Sequence, residues 1–164
     1  MKLKQLIYII PFLLLGCIVE YGMIDQSIEG ETFSVALFEE QAPNAPAGYG
    51  ATYTDFLKDY IISRTKLKLT NDEADIEIFG KITYFNTSPV SVQSDEAAAL
   101  NRLDVTLSVT VINNVKELQS FESNFSQFSN YDAATDLSSV QDELLDDING
   151  KLSQDIINRL TSNW

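Results

Sequence analysis

Histidine is absent from the 164-residue chain, and cysteine occurs once, at Cys17. Without histidine there is neither a Ser-His-Asp nor a Cys-His nucleophile, and one thiol does not make a His or Cys metal site. A single cysteine also excludes a disulfide within the chain, so a domain in an oxidising compartment must be held by packing alone. Basic residues are scarce, 11 Lys and Arg against 24 Asp and Glu, for a net charge of −13. That balance argues against nucleic acid or an anionic membrane surface as the main partner. The carboxylates are not arranged for chemistry either. Asp146 and Asp147 are adjacent on a helix and do not face one another. Asp72, Glu73 and Asp75 lack the glycine and the spaced final carboxylate of a calcium loop. No catalytic residue, metal or bound cofactor is expected.

What is present begins at the N-terminus. Lys2 and Lys4 precede an apolar run from Leu6 to Leu15, long enough for export but too short to span a bilayer. The run ends in Leu13-Leu14-Leu15-Gly16-Cys17, the pattern of a bacterial lipobox. An ordinary cleavage site wants small residues at both flanking positions, and Leu14 is poor there. Cys17 is therefore expected to become the N-terminus, carrying a diacylglycerol and an N-acyl chain, since several chains give durable anchoring where one does not. Ile18, rather than Asp, follows it, which favours the outer membrane, and the domain is expected on the periplasmic side. The organisation expected is a signal peptide at 1–16, an acylated N-terminus and tether at 17–31, and one domain at 32–164.

Within the domain, Thr32 to Phe38 alternates as a first strand with Phe33, Val35 and Leu37 on one face. Residues 39–50 hold Pro43, Pro46, Gly48 and Gly50 and read as a mobile loop. A helix capped by Thr52 or Thr54 follows, with Phe56, Leu57, Tyr60, Ile61 and Arg64 on its stripe. Ala74 to Phe85 alternates as a second strand, with Ile76, Ile78, Gly80, Ile82 and Tyr84 on the core side, and Pro89 is expected to interrupt its ladder. Leu103 to Val111 alternates without error, and Asn113-Asn114 offers a left-handed reversal. Phe121 and Phe125 differ in parity from Phe128, for which a bulge near Ser126 and Gln127 would account. Ser138 with Gln141 reads as a capping box opening a last helix. Its apolar stripe includes Val140, Leu144, Leu145, Ile148, Leu152, Ile156, Ile157 and Leu160.

The order β-α-β-β-β-α, with one-sided helices, predicts an α+β two-layer sandwich. Two helices pack on one face of a four-stranded mixed sheet, and the other sheet face is left available.

Several segments, taken in order, resemble the LptE family of lipopolysaccharide-assembly lipoproteins. They are Leu-Gly-Cys at 15–17, Arg-Thr-Lys-Leu-Lys-Leu at 64–69, Ala-Asp-Ile-Glu-Ile-Phe-Gly-Lys-Ile-Thr at 74–83 and Ser-Pro-Val at 88–90. Ala-Ala-Leu-Asn-Arg-Leu-Asp-Val-Thr at 98–106, Ser-Phe-Glu at 120–122 and Ser-Asn-Trp at 162–164 continue the series. The resemblance implies a non-enzymatic role as a plug inside the large outer-membrane barrel of the lipopolysaccharide translocon, an LptD-like partner. It also implies contact between loop cations and lipopolysaccharide, yet only Arg102 stands at the edge of the corresponding loop here. Asp95, Glu96, Asp132 and Asp136 fall in the same loops and would repel an anionic glycolipid unless divalent cations bridge the charges.

Arg102 and Lys81 are the candidate glycolipid contacts, and pairing of Arg102 with Asp104 or Asp95 is the ordinary alternative. Phe79 and Phe85, on the expected outer face of the second strand, are the candidate interface aromatics. A lipid-anchored binding module for another envelope component is the second functional reading, motivated by the acidic surface and the 39–50 loop.

Overall fold

The computed structural model describes residues 28–90 and 99–162. The signal segment, Cys17 and most of the tether lie outside them, as do Asp95 and Glu96.

The elements are β1 (Thr32–Val35), β2 (Glu39–Glu40), α1 (Tyr49–Arg64), β3 (Lys68–Leu69), β4 (Ile76–Val90), β5 (Leu100–Asn113), β6 (Phe121–Asp132) and α2 (Leu137–Thr161). The α+β class with two helices and a mixed sheet holds, but the sheet has six strands rather than four. Its order is β3-β1-β4-β5-β6, with β2 also on β4. β1, β2 and β3 pair in parallel, while β4, β5 and β6 form an antiparallel meander. The additional strands are two residues each, too short for any periodicity to announce them.

The expected first strand is broken. Val35 lies opposite Ile78 and Glu39 opposite Lys81, so four steps on one side match three on the other. The extra residue reverses the alternation: Leu37 is exposed and Phe38 is buried. A second insertion falls in β4, where Ile82 faces Leu107 and Tyr84 faces Thr106, with Thr83 left over. Tyr84 is thereby turned outward and Phe85 inward. Past that bulge Pro89 stays in the ladder opposite Asn101, contrary to expectation. β4 has lost its parallel neighbours by then, and the register turns the proline nitrogen to the unpaired edge, where no amide is needed.

β6 needs no bulge. Its pairing with β5 is continuous from Phe121 to Asp132, and Phe128 simply points to the outer face. The β5–β6 reversal does not use left-handed residues, since no described residue other than glycine has positive φ. Instead the Asn113 side chain accepts from Val115 N at 2.9 Å and Lys116 N at 2.8 Å.

Both helices bury their apolar sides in one cluster with the inner sheet face. α1 starts at Tyr49, earlier than the threonines suggested, because Tyr49 and Tyr53 lie one turn apart and both are buried. The segment before it is packed, with Ala42 buried and Gln41 N and Ala42 N bonded to the Ile82 carbonyl. Thr54 is not a cap. Its hydroxyl donates to the Gly50 carbonyl at 2.7 Å and accepts from Phe38 N at 3.0 Å, tying α1 to the break between β1 and β2. α2 is capped by Asp136, whose side chain accepts from Ser138 N, rather than by Ser138 itself. Its expected stripe is buried from Leu144 to Leu160, with Val140 half-buried, and also takes in Asn149 and Ser153.

These two polar residues meet α1. The Tyr49 hydroxyl donates to Asn149 Oδ1 at 2.7 Å, and the Tyr53 hydroxyl lies 3.5 Å from Ser153 Oγ. Burial pushes both phenols above their ordinary range, so they remain neutral donors and acceptors between the helices.

Candidate interaction surface

With both helices on one side, the outer faces of β4, β5 and β6 are uncovered by any described element. The register sets out what they carry. Across the three strands run Phe79, Thr110 and Glu122, then Lys81, Ser108 and Asn124, then Tyr84, Thr106 and Ser126. Towards the 91–98 connection follow Asn86, Asp104 and Phe128, then Ser88, Arg102 and Asn130. The surface is thus mainly hydroxyls and amides, with two acidic and two basic side chains and three aromatic rings standing in it. Phe79, Tyr84 and Phe128 are between 41% and 48% exposed. Thr106 and Ser126 hydroxyls lie 2.9 Å apart across two strands, so part of this polar surface satisfies itself.

Of the residues singled out in the sequence, Phe79 is on this surface and Phe85 is not. Phe85 is 5% exposed, with its ring edge-on to Tyr49 at 5.7 Å between centroids, so its assignment to the interface is corrected. Sequence alternation missed Tyr84, Phe128 and Ile112 as outward-facing residues. For Tyr84 the cause is the Thr83 insertion, which leaves no mark in the residue types.

Lys81 and Arg102 share the face but are not brought together. Lys81 stands opposite Ser108, six positions along β5 from Arg102, which is about 20 Å of strand. Lys81 Nζ is 3.8 Å from Glu39 Oε2, a half-exposed pair of small energetic value. Arg102 is paired with neither Asp104 nor any other described carboxylate. Its guanidinium lies 3.9 Å from the centre of the Phe128 ring, and its Nε donates to Asn130 Oδ1 at 3.3 Å. The Arg102 charge is therefore held in place by neutral groups and is not neutralised by them.

Asp75, considered with Asp72 and Glu73 as an acidic turn, has a structural task. Its carboxylate accepts from Glu31 N at 2.8 Å and Thr32 N at 3.0 Å, while Thr32 Oγ1 accepts from Asp75 N at 3.0 Å. These backbone bonds hold its carboxyl below the usual range. Among the described residues no group of three or more acidic or cysteine side chains is placed to hold a metal ion. Among the same residues, no helix is long and apolar enough to cross a membrane.

The fold is similar to that of several solved bacterial proteins. A minor lipoprotein from Acinetobacter baumannii is similar with a TM-score of 0.52 at 14% identity, covering 81% of this chain and 94% of that one. A hypothetical protein from Chlamydia trachomatis gives 0.55 at 10% identity, covering 81% and 96%. A putative neuraminyllactose-binding hemagglutinin homolog from Helicobacter pylori gives 0.52 at 10%, covering 85% and 89%. Comparison with curated protein sequences found no match. The fold is thus one that a solved bacterial lipoprotein also adopts. A family model, LptE, described as lipopolysaccharide-assembly, matches residues 30–160, and the chain belongs to that family. Its role lies in lipopolysaccharide assembly as an envelope lipoprotein, and the family is not one of enzymes.

Proposed function

We propose that this lipoprotein is anchored in the outer membrane through acylated Cys17 and plugs the barrel of the lipopolysaccharide translocon with its bare sheet face. The family match over 30–160 carries this reading. The chemistry of the face supports it: the lumen of an outer-membrane barrel is lined by polar side chains. A polar surface of Ser, Thr, Asn and four charged side chains, with a few aromatic rings, suits such a wall better than a wholly apolar sheet would.

Arg102 is the better of the two candidate glycolipid contacts, because its charge has no described carboxylate partner while Lys81 leans on Glu39. It stands at the end of the face nearest the 91–98 connection, where a phosphate delivered along the sheet would meet it. A binding module for another envelope component keeps less support, since residues 39–42 of the segment that helped motivate it are held on β4.

Affinity purification of the tagged lipoprotein from mild detergent is expected to recover a large outer-membrane barrel, and depletion is expected to stop lipopolysaccharide from reaching the surface. Recovery of no barrel, with normal lipopolysaccharide export on depletion, would establish the binding-module reading instead. Cys17→Ala should abolish incorporation of radiolabelled fatty acid, and persistent label would disprove the anchor.

A further inference from the structure

We propose that the end of the domain where the tether enters rests on the lipid bilayer, with Val115 and Leu118 among the acyl chains and Arg159 at the level of the phosphates. This rests on the reading that Cys17 is acylated. Leu118 is 90% exposed and Val115 56%, both on the connection between β5 and β6, and Ile112 beside them is 40% exposed. A leucine so bare at the tip of a connection is left without a use by the packing of the domain.

The tether places a membrane there. Lys116 Nζ meets Glu29 Oε1 at 2.6 Å, and Asn113 Nδ2 donates to the Glu29 carbonyl at 2.9 Å, so the chain leaves the domain alongside this connection. Residues 18–27 then separate Cys17 from Ile28. Such a segment spans at most about 35 Å fully extended and about 16–19 Å as a flexible coil. The acyl anchor is therefore confined to the neighbourhood of Leu118.

Charge agrees. In a chain of net −13, the groove of about 280 Å³ at this end is lined by Arg159 and by Lys116, whose charge Glu29 already pairs, and by no carboxylate. The Arg159 guanidinium lies 5.3 Å from the centre of the Phe121 ring and has no ion-pair partner among the described residues. Lipid phosphate is the anion that a membrane offers at that level. Glu117 on the same turn favours a zwitterionic headgroup surface over an anionic one.

The test uses the full acylated lipoprotein in vesicles of phosphatidylethanolamine and phosphatidylcholine, with an environment-sensitive fluorophore on Leu118→Cys. Acylation leaves the introduced thiol as the reactive one. The comparison is Ala134→Cys, just before α2 and separated from the tether end by that 25-residue helix, about 37 Å long. We expect blue-shifted emission at position 118 and several-fold stronger quenching there than at 134 by nitroxides on the acyl chains. Equal quenching at the two positions, in protein that carries labelled fatty acid, overturns the membrane contact and leaves the anchor standing. Absence of fatty-acid label overturns the anchor, and the contact with it.

Discussion

The Phe38 ring occupies the space that a side chain on Gly80 would need. A Cβ at Gly80 would lie 2.0 Å from Phe38 Cε1, and the ring is fixed from behind by Tyr53, edge-on at 5.0 Å. The extra residue between β1 and β2 turns Phe38 inward, and the glycine in β4 makes room for it.

Gly80→Ala is therefore expected to lower stability by about 1–3 kcal/mol, the range for overpacking a core. Adding Phe38→Leu should recover part of the loss. Denaturant melts of both single variants and the double variant check this, and strict additivity would show that the two sites do not share the space.

Tyr49→Phe removes the donor to Asn149 Oδ1 and leaves a buried acceptor unpaired, at a cost of about 1–3 kcal/mol. Tyr53→Phe should cost less, because its hydroxyl is 3.5 Å from Ser153. Combining Tyr49→Phe with Asn149→Leu should come close to neutral if the variant core repacks. Thermal unfolding of the three variants gives the ordering.

Acid should weaken the β1–β4 junction. The folded Asp75 carboxyl sits below its unfolded value, so its contribution is present above about pH 4 and is lost as pH falls from there towards the folded value. Asp75→Asn is expected to lower the melting temperature at neutral pH and to flatten its decline on the acid side. Parallel curves for both proteins would assign the acid limb to other carboxylates.

Phe79 and Phe85 should separate binding from folding. Phe85→Ala opens a cavity in the core and should cost about 3–5 kcal/mol. Phe79→Glu should leave the melting temperature nearly unchanged while reducing barrel recovery in affinity purification. Undiminished recovery with Phe79→Glu and Tyr84→Glu together would remove the sheet face from the contact.

Arg102→Ala is expected to weaken lipopolysaccharide binding by the purified protein, and Arg102→Lys to restore it only in part, since the guanidinium plane stacks on Phe128. Titration with lipopolysaccharide would measure this, and binding unchanged in Arg102→Ala would place the glycolipid elsewhere.

The strongly patterned elements were legible from residue types. β5 carries Leu103, Val105, Leu107, Val109 and Val111 inward without a slip, and the α2 stripe is buried from Leu144 on. The two insertions were not legible, because Ile82-Thr83-Tyr84-Phe85 has an apolar or aromatic residue for either register. The opposite error occurred at Phe128. Two inward aromatics do not require a third there, because Arg102 covers the Phe128 ring from outside. Asn149 and Ser153 were invisible as core residues because their partners are tyrosine hydroxyls some hundred positions away. On the bare face, Phe79 could be read and Tyr84 could not, for the same reason that Phe85 was misplaced.

Pro89 has a further effect at the edge of the sheet. From Thr83 onward β4 has no strand on its outer side among the described residues, and alternate amides there are open to the backbone of another molecule. Phe85 and Thr87 offer such amides, and Pro89, next in the row, has none to offer. Any strand that added itself to this edge would run out of donors before the end of β4, so intermolecular pairing and the aggregation that follows from it are held to a short stretch.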